Sequence, residues 1–139
     1  MPKDEKFSIT TTTKGSLAIS RLPFVNLKNE IVGKNYNLSL VFIGDKLSKK
    51  LNKKYRRKDK KANVLSFSLT NTDGEIFINI NETKKQSKIN GYNFNNFLKY
   101  LFIHSLLHLK GYEHSSKMES EEKKICKKFK IFFVLNAFE

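Results

Sequence analysis

Apolar residues recur along this chain at two periods, and their order predicts strands mixed with helices. In "YNLSLVFIG" (36–44), Leu38, Leu40 and Phe42 alternate with other residues, as a strand requires. "FSITTTTK" (7–14) is rich in β-formers and reads as an opening strand. "VLSFSL" (64–69) and "EIFINI" (75–80) alternate cleanly on either side of "TNTDG", and Asp73–Gly74 is a turn signal, so a hairpin is expected.

A period near four marks the helices. Asp45 offers an N-cap for "KLSKKLNKKYRRK", where Leu47, Leu51 and Tyr55 form one thin apolar stripe on a basic helix. Residues 93–111, "NFNNFLKYLFIHSLLHLKG", read as a long helix that is apolar on most sides, hence central, and ended by Gly111. Residues 117–138 read as a final helix, with acidic residues early and lysines later, as the helix dipole prefers. Residues 16–34 fit a helix interrupted at Pro23, and 82–91 a loop or a short helix.

With 139 residues there is room for one core, so 1–139 is expected to be a single domain. The fold class is α/β (α+β): a small mixed sheet of about four strands packed against helices. A hydrophobic fraction of 39% with 12 Phe excludes a disordered chain. The single cysteine, Cys126, cannot form an internal disulfide, and a mildly buried, unreactive thiol is expected there. No signal-peptide pattern opens the chain, and "IFFVLNAF" (131–138) is too short for a membrane span, so a cytoplasmic protein without a membrane partner is expected.

Charge changes the picture more than composition does. The formal net charge is +14. Residues 46–61, "KLSKKLNKKYRRKDKK", hold ten Lys and Arg against one Asp, so nine of those charges fall within sixteen residues. Such clustering is the footprint of a polyanion partner, a phosphate backbone above all.

All three histidines lie in "HSLLHLKGYEH", at His104, His108 and His114. Four residues apart on a helix, His104 and His108 share a face. Gly111 then lets the chain turn back so that His114 reaches the same point. Three imidazoles suit Zn²⁺ and leave a fourth position for water, which marks a catalytic site, because structural zinc sites are closed by four protein ligands. Bound water would have a pKa of about 7. The spacing matches the metzincin proteases, giving a zincin-like metal-bearing central helix. Those enzymes carry a glutamate base directly after the first histidine, where this chain has Ser105. A metal that activates water, beside a surface for phosphates, points to phosphodiester hydrolysis, with a guanidinium holding the phosphoryl oxygens.

"LNKKYRRKDKKANVLSFSL" (51–69) followed by "HSLLHLKGYEH" (104–114) resembles the YbeY family of bacterial endoribonucleases. The family pattern is close to N-x-x-Y-R-x-K-D-x-x-T-[DN]-V-L-S-F-P, then a G-[DE]-I strand, then H-G-x-L-H-L-x-G-Y-D-H. The match runs through Asn52, Tyr55, Arg56, Lys58, Asp59 and Asn63 to Phe67, then Gly74 and Ile76, then the histidine motif. The resemblance implies a zinc-dependent, single-strand-specific endoribonuclease. It would act in rRNA processing, at the 3′ end of small-subunit 16S rRNA, and in ribosome quality control. Single-stranded RNA or rRNA and the small ribosomal subunit with its proteins are the implied partners; DNA is not. His104, His108 and His114 would be the ligands of one Zn²⁺. Arg56 and His114 are the candidate catalytic residues, and Lys53, Lys54, Arg56, Arg57, Lys58, Lys60 and Lys61 the candidate RNA contacts. Ser105, Glu113, Ala62 and Ser68 depart from the pattern, where Gly, Asp, Thr and Pro are usual.

Other readings stay open at this point. A non-catalytic zinc-containing assembly factor shares the charge pattern, and a metalloprotease is disfavoured by Ser105. Either water or the 2′-hydroxyl of the RNA can attack. Ser66 and Asn63 fit a cleft wall or a strand start. Glu113 fits a carboxylate that orients a histidine or a solvent-facing loop residue. Asp59 reads as a loop or capping residue. Met118, Phe129, Phe132 and Phe133 are expected in the core.

Overall fold

The computed structural model describes residues 6–13 and 19–133. Strands β1 (Phe7–Thr11), β2 (Asn37–Ile43), β3 (Val64–Thr70) and β4 (Asp73–Asn79) form one sheet in the order β1-β2-β4-β3. β1 and β4 run parallel to β2, and β3 pairs antiparallel with β4. The helices are α1 (Phe24–Ile31), α2 (Asp45–Arg56), α3 (Ile80–Asn90), α4 (Phe94–Lys110) and α5 (Ser116–Lys128). This is the small mixed α/β fold that the apolar periods predict. Residue 14 of the expected first strand, 16–18 of the expected first helix and 134–138 of the expected last helix lie outside the described residues.

The core follows from the alternation. Leu38, Leu40 and Phe42 of β2 and Ile76 and Ile78 of β4 are buried. Leu40 pairs with Ile76 and Phe42 with Ile78. Helix α4 packs against α1, α3, α5, β3 and β4. It is therefore buried on more than one side, through Phe97, Leu98, Leu101, Phe102, Ile103, Leu106 and Leu107. That is the reason its sequence is apolar nearly all round.

Several local expectations need correction. Pro23 precedes α1 instead of interrupting it, and a short 3-10 turn, Ile19–Arg21, lies upstream. Proline lacks the amide that a helix interior needs, but that amide is not used at a helix start. Asp45 is the first residue of α2 and caps nothing with its side chain. Its carboxylate accepts instead from the side-chain amide of Asn79 (2.9 Å). The apolar stripe of α2 is shallow: Leu47 and Leu51 are half-buried and Tyr55 is 56% exposed. The buried positions of that helix are Ser48 and Asn52.

α5 ends at Lys128, and the chain leaves it through Lys130 in the left-handed region (φ 56°). Ile131 is buried, whereas Phe132 is 65% exposed, so Phe132 is not a core residue. Successive side chains of an extended segment point to opposite sides.

The β3–β4 turn is Asn71–Thr72, and Asp73 and Gly74 already belong to β4. Gly74 is needed for a close approach, not for a turn. A Cβ there would collide with the Tyr36 hydroxyl and come within 3.1 Å of both Leu109 methyls. Among the described residues the buried Tyr36 hydroxyl has no hydrogen-bond partner. Burial, and then the Asp73 charge, raise its pKa above 10.0. Gly74→Ala is expected to cost about 1–3 kcal/mol through overpacking. Tyr36→Phe in the same chain should restore part of that loss, because it removes the colliding oxygen. Urea unfolding of the single and double variants measures both.

Candidate metal centre and its cleft

Helix α4 sets His104 and His108 one turn apart, with their Nε2 atoms 3.1 Å from each other. The helix then ends on Gly111, whose φ of 110° is open to glycine and strained for other residues. The Gly111 and Tyr112 amides donate to the carbonyls of His108 and Leu107, each at 3.0 Å, which closes the helix end. The reversed chain delivers His114, with its ring centroid 4.6 Å from that of His108 and 5.1 Å from that of His104. One nitrogen of each ring lies within 4.8 Å of the other two.

The outer nitrogens decide which atoms are free to bind an ion. His108 Nδ1 is 3.0 Å from the Tyr112 carbonyl, which can only accept, so Nδ1 carries the proton. His104 Nδ1 contacts the carboxylate of Glu122 and by the same reasoning also carries its proton. Two unprotonated Nε2 atoms are then turned toward each other. Their lone pairs repel unless a cation lies between them. Two ligands 2.0–2.1 Å from a tetrahedral ion are roughly 3.3 Å apart, close to the spacing found. The residues present therefore fit a metal ion. The pKa of His108 is lowered from 6.5, first by burial and then by the neighbouring His104, His114 and Arg56, against the bond to Tyr112, which raises it. The balance favours the neutral ring that ligation needs.

Glu122 is the residue that the sequence reading missed. It lies on α5, is 6% exposed, and also accepts from the Tyr100 hydroxyl (3.3 Å). Burial first, and then Glu122, push the Tyr100 pKa up to about 12 and the Cys126 pKa to about 11. Cys126 is half-buried, as expected, and its raised pKa disfavours the thiolate. A signal was present in the sequence: Met118, Glu122 and Ile125 fall four and three residues apart on the buried face of α5. A glutamate at a core-facing position needs a partner. Glu113, by contrast, is exposed.

The three histidines line a cavity of about 490 Å³ together with Arg56, Asn63, Val64, Ser66, Ser68, Ser105 and Leu109. Arg56 is the last residue of α2; its Nη2 donates to the Ser66 carbonyl at 3.4 Å. Ser66 and Asn63 do border the cleft, and Asn63 also donates to Gln86 Oε1 (3.0 Å). Ser105 is buried and donates back to the Leu101 carbonyl of its own helix (2.9 Å), so it offers no base.

The basic loop after α2 is held by the buried polar face of that helix. The Ser48 hydroxyl donates to the Ala62 carbonyl and accepts from the Ala62 amide, each at 2.8 Å. The Asn52 side chain donates to the Lys60 carbonyl at 2.8 Å. Lys53, Lys54, Arg57, Lys58 and Lys60 are exposed. Lys61 is engaged by Asp45 (3.6 Å) and Glu82 (3.4 Å), while Asp59 is an exposed loop residue 3.8 Å from Lys49.

Glu122→Gln keeps the shape of the side chain and removes its charge. It is expected to weaken metal binding about 10–100-fold, read by chelator competition. Far-ultraviolet circular dichroism should show the fold retained.

Comparison with known proteins agrees with this geometry. The family model described as "Endoribonuclease YbeY" matches residues 3–131. A protein of Neorickettsia sennetsu named endoribonuclease YbeY is 36% identical over 107 residues, covering 69% of this chain and 75% of its own. Its namesake from Clostridium botulinum (strain Hall) is 35% identical over 127 residues, covering 73% and 75%. The solution structure of TM1509 from Thermotoga maritima superposes with a TM-score of 0.64 at 24% identity, over 89% of this chain and 91% of that one, and so shares the fold. No helix among the described residues is long and apolar enough to cross a membrane.

Proposed function

This chain belongs to the endoribonuclease YbeY family, and from that premise we propose that it is a zinc-dependent enzyme that cuts single-stranded ribosomal RNA. Its place of action is the 3′ end of small-subunit 16S rRNA and ribosome quality control, in the cytoplasm, with the small ribosomal subunit and its proteins as partners. Residues 1–139 act as one domain. The observation that carries this reading is the convergence of three imidazoles and one guanidinium on a single cavity.

The geometry supports a role for each residue. His104, His108 and His114 hold the ion, and three nitrogen donors with an open position suit zinc. When bound, the ion supplies the Lewis acidity that lowers the pKa of water to about 7. Glu122 and the Tyr112 carbonyl keep two of the rings in the ligating tautomer. Arg56 borders the cavity and holds the phosphoryl oxygens with its planar fork as charge accumulates on them. Lys53, Lys54, Arg57, Lys58 and Lys60 attract the RNA backbone without reading its sequence. Lys61, paired with two carboxylates, serves the loop more than the RNA.

The test is zinc content by mass spectrometry beside cleavage of a single-stranded RNA. Wild type and Arg56→Ala are expected to carry about one zinc each. Cleavage by Arg56→Ala should fall about 10²–10³-fold, in the range for a lost transition-state donor. His114→Ala should lose both metal and cleavage. A wild type that takes up no metal after reconstitution, or cleavage that survives both a chelator and Arg56→Ala, would overturn the reading. A 2′,3′-cyclic phosphate on the product identifies attack by the RNA's own hydroxyl, and simple hydrolysis ends identify attack by water. Each of Lys53→Ala, Lys54→Ala and Lys58→Ala that removes a backbone contact should reduce the salt slope of binding by about 0.7, and Lys61→Ala should leave that slope unchanged.

A further inference from the structure

Tyr55 has no part in the core that its helical spacing assigned to it, and none in the site described above. Its ring stands 56% exposed in the last turn of the basic helix α2. It is braced from below: the Phe67 ring is 5.3 Å away and tilted by 59°, and Phe67 in turn meets Phe77 edge-on at 5.9 Å. One cation lies against each ring of this pair. The Lys54 ammonium is 5.2 Å from the Tyr55 centroid, and the Arg56 guanidinium is 5.9 Å from that of Phe67. An exposed aromatic ring beside cations offers a π-face on which an anionic, aromatic ligand can stack.

β3 explains where this ring lies relative to the metal centre. Side chains of a strand alternate between its faces. Val64, Ser66 and Ser68 line the histidine cavity, so Phe67 and the neighbouring Tyr55 are on the other side of the strand. β3 is the outer strand of the sheet, and no further strand follows it among the described residues. Arg56 serves both sides, since it borders the cavity and lies over Phe67. A chain crossing the outer edge of β3 meets the metal centre and guanidinium first and the Tyr55 ring next.

We propose that Tyr55, braced by Phe67, is a stacking platform for one unpaired nucleobase next to the nucleotide held at Arg56. The proposal rests on the reading of this protein as an RNA-cutting enzyme and deepens it by naming a base subsite. The charge around the ring favours a polyanion over an ordinary protein surface: nine of the net positive charges lie in residues 46–61. Every base offers a π-face, so the subsite accepts any sequence. It does not accept a duplex, whose bases are already stacked on one another. The platform therefore ties the choice of single strands to one ring.

The experiment measures binding of the zinc-loaded protein to a short 2′-O-methyl oligoribonucleotide by fluorescence anisotropy, with and without an abasic residue at each position in turn. Tyr55→Ala is expected to weaken binding about 5- to 150-fold, the range of one lost base stack. One abasic position should weaken wild type by a similar factor and leave Tyr55→Ala unaffected, and Tyr55→Phe should bind as wild type does. Zinc content should be unchanged in Tyr55→Ala, and the thermal midpoint should fall by only a few degrees, because the 56% exposed ring loses little more than its contact with Phe67. If Tyr55→Ala binds as tightly as wild type, or if the abasic position weakens both equally, the platform is overturned and the patch is left to a protein partner. In that case cleavage that still depends on Arg56 leaves the enzymatic reading standing. A wild type with no affinity for RNA overturns both.

Discussion

The chain reversal at Gly111 is the constraint on which the rest of the site depends. Helix α4 cannot bring three histidines to one point by itself, because His104 and His108 are already one turn apart and a residue a further turn along the same face is about 10 Å from the first. The third must return from outside the helix. With Gly111 at a φ of 110°, the turn ends the helix and directs the chain back over its last turn. It also sets the Tyr112 carbonyl on Nδ1 of His108 and delivers His114. One local conformation thus closes the helix, chooses a tautomer and brings in the third histidine. A side chain at that position would strain all three.

The second support comes from a part of the chain with no sequence proximity to the first. Glu122 reaches His104 from α5, and only the packing of α5 on α4 brings the two together. A buried carboxylate is costly unless it is bonded, and the His104 ring and the Tyr100 hydroxyl supply those bonds. The candidate metal centre is in this sense joined to the core: two of its three histidines lie on the helix that is buried on several sides, and the carboxylate that contacts one of them is itself buried.

These features explain what could and could not be read from the sequence. The strands and the long helix were legible because apolar alternation and an all-round apolar surface have few other solutions. The histidine triad was legible because its spacing and the helix-ending glycine are local. Asp45 and Asp73–Gly74 were misread for the opposite reason. Each has the composition of a cap or a turn, but tertiary neighbours decided their use: Asn79 and Lys61 engage Asp45, and the approach of Tyr36 and Leu109 requires Gly74. Glu122 was hidden among acidic residues that suit the start of α5 on dipole grounds alone. Phe132 reads as a core contact of a helix that continues to 138, but α5 ends at Lys128 and the ring is exposed.

The division between α4 and α2 has a physical logic. A metal site would need ligands held tightly, and α4 offers that for His104 and His108 because the helix itself is anchored in the core. In the proposed function a phosphate backbone would need reachable charges, which α2 offers by exposure. Exposure alone would leave long side chains and their loop free to wander, and ordering them on binding costs affinity. α2 counters this with Ser48 and Asn52, whose three hydrogen bonds tie the basic loop to a buried helix face. Its apolar stripe is weak because its anchoring is polar. Arg56, at the junction of the two regions, is held between the Ser66 carbonyl and the Phe67 ring, so that a charge on an exposed helix is nevertheless aimed at the cavity of the histidines.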